Sequence, residues 1–336
     1  MRAALVRAFG SPPSYTTFAD PVAGEGELAV TITAAGLHPI VKSLANGSHY
    51  GSTGVLPFVP GVDGVGRLED GTRVYFGGAP SPFGTFSERS LAAKSMCIPV
   101  PKELDDATAA GIANPAMSSW VALTARAKFV AGEGVLVLGA TGVAGQLVVQ
   151  NGKRLGARRM IGVGRNPVAL NGLKALGADA VISLDQEHDA LVSALRSEYA
   201  EAGVDVVLDY LWGQPAESML EAIAQRGLRK AAARVLFVQI GASAGESIGL
   251  NAMTLRSSGL ELLGSASLPH RFWRRSRSFS RPGVRHSQGN RIVRRDKSVL
   301  FSRRQTCPGT GSLHLVTIEA ASEATKTPEL SMQRAV

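Results

Sequence analysis

The stretch that most restricts the fold runs from Val135 to Gly145, where the apolar run VLVL leads directly into GATGVAG and then into the amphipathic segment GQLVVQNGKRLGA. A buried strand, a glycine turn and a helix in that order open a parallel βαβ unit. Glycines at 139, 142 and 145 permit a tight turn, close approach of backbone to a pyrophosphate and close packing of helix on strand, and the helix N-terminus faces the anion. Three spaced glycines are a weak signal by themselves in a chain with 38 of them. The strand before and the helix after make this set specific for a dinucleotide.

The alternation continues. RMIGVG, AVISL, VDVVLDY and RVLFVQIG read as strands, with helices through ALNGLKALGA, Leu191 to Tyr199 and the region of Leu220. The expected architecture over residues 114–264 is a doubly wound parallel sheet of Rossmann type, its apolar strands covered on both faces. The first 113 residues read differently: LAVTITAAGL, from Leu28 to Leu37, alternates at period two, and Asn46-Gly47 and Asp70-Gly71 mark turns. A small, mostly antiparallel β domain is expected there. Between the two, DDATAAGIANPAMSSWVALTARAKFV has helical spacing, and its first helix is expected to end at Asn114-Pro115, because the residue before a proline disfavours the helical region. Two domains also suit a length of 336 residues.

The end of the second Rossmann strand discriminates between cofactors. An acidic residue there would accept hydrogen bonds from an unphosphorylated ribose, but the chain has Gly164, Arg165 and Asn166. Arg165 is suited to pair with a 2′-phosphate, and Gly164 is expected to leave room for it, so NADPH is expected rather than NADH. The expected cofactor contacts are Gly139, Ala140, Thr141, Gly142, Val143, Ala144, Gly145, Gly164, Arg165 and Asn166, with Ile240, Gly241 and Ala242 as nicotinamide neighbours at a strand's carboxyl end. No serine triad is evident, and GAS at 241 lacks a nucleophile elbow.

With two cysteines, Cys97 and Cys307, neither a disulfide framework nor a cysteine-rich metal lobe can be built within one chain. The N-terminus shows no secretory apolar run, and no stretch of membrane-spanning length occurs, so a cytoplasmic protein without a membrane partner is expected. The net charge of +9 is misleading as an average. Residues 270–336 hold 14 Lys and Arg against 4 Asp and Glu, and residues 1–269 hold 22 against 23.

The segments AAGLHPIVKSLANGSHY, LPFVPGVDGVG, GTFSE, GATGVAG, GRNP, LKALGAD and GVDVVLDYLWG together resemble, in order and spacing, the zinc-independent quinone oxidoreductase branch of the medium-chain dehydrogenase/reductase superfamily. The resemblance covers about residues 2–268. It implies a GroES-like catalytic domain, completed by a returning C-terminal part (265–336), and a substrate cleft between that domain and the Rossmann domain. It also implies hydride transfer from NADPH to a quinone or an activated, enone-type double bond. Tyr50 matches a position where relatives place a cleft tyrosine, His38 is a titratable neighbour, and Ser118 falls where relatives pack a helix beneath the nicotinamide. Zinc-dependent relatives carry ligands at the positions here held by His38, Val62 and Asn114, and Asp63 replaces their usual glutamate. Valine cannot ligate and asparagine is a poor zinc ligand, so no metal is expected. Relatives are often homodimers.

From His270 the pattern changes abruptly to HRFWRRSRSFSRPGVRHSQGNRIVRRDKSVLFSRRQ, and apolar periodicity is lost until SLHLVTI, which reads as a strand. Two readings stand. One is a translated frameshift; whatever its origin, an aberrant tail that removes the returning strands makes an NADPH-binding protein with little or no catalysis the alternative to an active enzyme. The other is a basic arm at 270–304 that binds RNA or another polyanion through arginines interleaved with Phe272, Trp273 and Phe279.

Overall fold

The computed structural model describes residues 1–225 and 233–265 and the backbone of 315–317. The basic segment from His270, with both of its readings, lies outside the described residues. The described chain divides into two compact units, one comprising Met1–Asn114 with the strand at 315–317, the other starting at Pro115.

The first unit contains β1 (Arg2–Leu5), β2 (Ser14–Thr17), β3 (Glu27–Gly36), α1 (Pro39–Asn46), β4 (Asp63–Arg67), β5 (Arg73–Gly77), β6 (Arg89–Ala93) and β7 (Ile98–Pro99). β1 and β2 pair with each other, and β3, β4, β5 and β7 lie side by side in that order with β6 also on β3, every pair antiparallel. The period-two alternation seen in the sequence sends Val30 and Ile32 of β3 into a core with Val74, Phe76 and Ala92.

The second unit begins within α2 (Asp106–Val121), of which it holds the part from Pro115, and continues with β8 (Gly134–Leu138), α3 (Val143–Arg154), β9 (Arg159–Gly164), α4 (Pro167–Ala175), β10 (Ala180–Ser183), α5 (His188–Ala202), β11 (Val206–Asp209), α6 (Gly213–Ile223), β12 (Arg234–Gln239), α7 (Ala252–Ser257) and β13 (Gly259–Gly264). The strand order is β10-β9-β8-β11-β12-β13, with all neighbours parallel. Val135 and Val137 of β8 pack on one side with Val148 and Leu170, while Leu136 and Leu138 pack on the other with Leu195 and Met219. Burial on both faces is why this strand reads as an unbroken apolar run rather than an alternating one. After β10 the chain returns to the other side of β8, so the switch point where ligands bind such sheets lies at the carboxyl ends of β8 and β11.

Both halves of the expected α/β fold class are therefore present. The strand read in SLHLVTI is β14 (Leu315–Thr317), antiparallel to β3 with Val316 opposite Ala35. One expectation fails: α2 runs unbroken through Pro115 instead of ending at Asn114. An interior proline costs about 3 kcal/mol or more. Here Ala109 and Ala110 before it and Ser119 and Val121 after it are buried, and the Ser118 hydroxyl donates back to the Pro115 carbonyl at 2.9 Å. Tertiary burial on both sides of the proline outweighs the local preference.

Candidate functional site

The GATGVAG turn is built by its glycines, each for a different reason. Gly139 has φ +86°, and its amide and that of Ala140 both donate to the Val163 carbonyl, locking the turn onto β9. A β-carbon on Gly145 would lie 2.3 Å from the Gly139 carbonyl oxygen and 2.5 Å from the Ala140 Cα, so α3 approaches the turn as only glycine allows. Gly142, the N-cap of α3, is different: a β-carbon there would meet nothing nearer than the Gly139 carbonyl oxygen at 3.5 Å. The space in front of it is open.

That open space adjoins the first turn of α3. The amides of Val143, Ala144 and Gly145 have no acceptor among the described residues, and no side chain caps the helix. Three unsatisfied donors at the positive end of a twelve-residue helix, beside an open glycine surface, fit a pyrophosphate. Thr141 uses its carbonyl to accept the Gln146 side-chain amide at 3.0 Å, bracing the turn from behind. Ala140 is buried and faces the core, so its part in the site is to shape the backbone.

At the end of β9, Arg165 is exposed and has no ion pair among the described residues. Asn166 caps α4, its Oδ1 accepting the Ala169 amide at 3.0 Å. The space a β-carbon on Gly164 would take is held by Thr141, whose Cγ2 lies 2.5 Å away, so this glycine serves the packing of turn against strand.

On the other side of the switch point, the Asp209 backbone carbonyl accepts the amides of Ile240 at 2.8 Å and Gly241 at 3.2 Å, which draws the loop after β12 towards the end of β11. The buried Asp209 carboxyl is pushed up from 3.8 to about 6 by desolvation, against the pull of the Trp212 and Leu211 amides. The Ser118 and Tyr210 hydroxyls are 3.3 Å apart. Since Ser118 already donates to Pro115, Tyr210 is the donor in this pair, and burial raises its phenol, keeping it protonated. Ala242 is exposed and lines an open cavity of about 460 Å³ with Trp212, Gln239, Leu262 and Leu263.

In the first unit, His38 immediately precedes α1 and is buried, its Nε2 3.3 Å from Asp63 Oδ1. Neither atom has a hydrogen-bond partner, so two buried polar atoms face each other off the line of a hydrogen bond. The ring folds back over Gly36, where a β-carbon would sit 2.2 Å from Nε2. Asp63 Oδ2 accepts the Tyr75 hydroxyl at 2.7 Å, and desolvation followed by the Asp63 charge raises that phenol well above its ordinary value. Tyr75 carries no sequence motif that points to this role. Tyr50 stands apart: it is 80% exposed, with its ring 4.2 Å from that of His49. Among the described residues no group of three or more His, Cys, Asp or Glu side chains is arranged to hold a metal ion, and no helix is long and apolar enough to cross a membrane.

Residues 143–277 match a family model described as zinc-binding dehydrogenase. A probable NADPH-dependent quinone reductase of Emericella nidulans is 30% identical over 256 residues, covering 66% of this chain and 70% of that protein. A chloroplastic NADPH-dependent alkenal/one oxidoreductase of Arabidopsis thaliana is 27% identical over 205 residues, 56% of this chain and 51% of that one. Among solved structures, the quinone oxidoreductase of Thermus thermophilus, known also in complex with NADPH, superposes with a TM-score of 0.66 at 28% identity, over 79% of this chain and 80% of that one.

Proposed function

The chain belongs to the quinone oxidoreductase-like part of the medium-chain dehydrogenase/reductase superfamily, and on that premise we propose that it reduces a quinone, or an enone-type double bond, with NADPH and without a metal. It is an NADPH-dependent oxidoreductase. The observation that carries the reading is the set of free amides of Val143, Ala144 and Gly145 beside open Gly142, with the exposed guanidinium of Arg165 at the end of β9. The amides hold the pyrophosphate and Arg165 pairs with the 2′-phosphate. Ile240 and Gly241, drawn in by the Asp209 carbonyl, and Ala242 after them flank the nicotinamide, and the Ser118 hydroxyl stands 3.3 Å from that of Tyr210. NADPH supplies the hydride when bound, and the protein's task is to position the acceptor and deliver one proton.

Of the two side chains expected to be catalytic, His38 is buried with its Nε2 3.3 Å from Asp63 Oδ1, whereas Tyr50 is exposed. Metal independence is supported by the donor set: Val62 has no donor atom, and Asn114 is taken up in α2. A quinone is favoured over an enone by the closer of the two relatives.

The test is NADPH consumption by the purified full chain with a benzoquinone and with a short enone, repeated with NADH and after treatment with a strong chelator. Consumption with NADPH, undiminished by the chelator, is expected. Loss of turnover with the chelator removes the metal-free mechanism, and NADPH-induced thermal stabilisation with no consumption under any condition reduces the protein to a cofactor binder.

A further inference from the structure

Trp212 has φ +57° and ψ −161°, a backbone conformation that glycine adopts freely and a residue with a β-carbon adopts under strain. Lys128 is the other non-glycine residue with positive φ among those described. The Trp212 conformation is held from several sides. Its amide donates to both carboxylate oxygens of Asp209, at 3.0 and 3.2 Å. The preceding carbonyl, that of Leu211, accepts the Ala244 amide at 2.7 Å. The following residue, Gly213, lies so close to Ala244 that a β-carbon would come within 2.8 Å of its carbonyl oxygen. Such strain persists where the surroundings over-determine it, characteristically at ligand sites.

What the strain achieves is the placement of one indole. The ring is half-buried, set edge-on to Phe237 with centroids 6.4 Å apart, and it forms a wall of the open 460 Å³ cavity. Gln239, the last residue of β12, and Gly264, the last of β13, also line that cavity, so it lies at the carboxyl ends of these strands. Leu262 and Leu263 give it an apolar side, and Leu262 is 40% exposed with nothing described covering it. An aromatic face, two leucines, one amide and the exposed carboxylate of Glu246, which also lines the cavity, suit a flat, conjugated ring with a polar edge.

We propose that Trp212 is a specificity-determining residue whose indole is the surface on which the flat ring of the electron acceptor stacks. This rests on the oxidoreductase reading above. It predicts a preference for fused-ring quinones over short acyclic enones, since only the former can cover an indole face.

The strain makes the test sharp, because glycine is at ease where tryptophan is not. In the full chain, Trp212→Gly is expected to leave the melting temperature within a few degrees of wild type, to raise KM for a naphthoquinone at least tenfold, and to leave KM for a short enone unchanged, with Trp212→Phe restoring most of the difference. Calorimetric titration of naphthoquinone into the same proteins, without NADPH, gives a readout independent of turnover, and the same tenfold loss of affinity is expected. If the glycine variant does not fold, Trp212→Leu keeps bulk without an aromatic face and is read in the same way. Equal naphthoquinone affinity in wild type and variant, or no binding by wild type, overturns the proposal. So does a marked fall in melting temperature with KM unchanged, which assigns Trp212 to packing on Phe237. A difference in binding without turnover of any acceptor would instead leave the stacking surface standing and remove the activity.

Discussion

The Tyr75 hydroxyl donates to Asp63 Oδ2 at 2.7 Å in the interior of the β-rich unit, with both side chains buried. Two strands bring them together: Val65 of β4 lies opposite Tyr75 of β5, which places Asp63, two residues earlier on the same face, diagonally across the ladder. Tyr75→Phe leaves a buried carboxylate oxygen without its donor. The expected cost is about 1–3 kcal/mol, read as a lower midpoint in urea unfolding. An unchanged midpoint would show that water or a neighbouring group takes over the bond.

The glycine turn offers a paired prediction. Gly145→Ala drives a β-carbon into backbone at 2.3 and 2.5 Å, which no rotamer change relieves, so the variant is expected to lose about 2 kcal/mol or more of stability together with cofactor binding. Gly142→Ala has no such clash and φ −76° suits alanine, so its thermal stability is expected to match wild type. Its methyl group nevertheless enters the space beside the free amides of α3, and NADPH affinity is expected to fall about tenfold, a loss of about 1.4 kcal/mol. Calorimetric titration of both variants separates the two roles, and wild-type affinity in Gly142→Ala would move the pyrophosphate elsewhere.

Legibility in the sequence followed the length scale of the cause. The apolar run VLVL and the turn glycines act within a dozen residues, so β8, the turn and α3 were readable, as was the period-two alternation of β3. The continuation of α2 through Pro115 was not, because local proline chemistry predicts a break and only burial of Ala109, Ala110, Ser119 and Val121 reverses it. Asp63 and Tyr75 are 12 residues apart and meet only through strand register. In sequence Gly164 reads as room for a phosphate, whereas in the fold Thr141, 23 positions earlier, holds the space beside it. Trp212 gave no signal at all, since its strain is a property of the folded turn.

Arg165 carries the cofactor preference in this scheme. Arg165→Ala would remove the charge-assisted bidentate pair proposed with the 2′-phosphate, worth about 1.5–3 kcal/mol, so kcat/KM for NADPH is expected to fall about tenfold or more while that for NADH stays within about twofold. Steady-state kinetics with the two cofactors and one quinone measure both. Equal losses for the two would mean that the guanidinium holds something common to them, and the discrimination would then have to come from another residue.

The Asp209 carboxyl is raised by burial from 3.8 to about 6, so the folded chain binds this proton more tightly than the unfolded chain does. Its contribution to stability is accordingly full below the unfolded value and is lost as pH rises through about 6; two units correspond to about 3 kcal/mol, as an order of magnitude. The charged form is tolerated near neutrality because the Leu211 and Trp212 amides donate to it at 2.8 and 3.0 Å, and it is the stronger acceptor for holding the strained turn. Asp209→Asn keeps an acceptor oxygen and cannot ionise. Between about pH 7 and about pH 5, the melting temperature of wild type is therefore expected to gain several degrees relative to that of the variant. Thermal scans of both proteins across that range decide the matter. Parallel profiles would place the titration elsewhere and leave Asp209 as a fixed hydrogen-bond acceptor for the Trp212 turn.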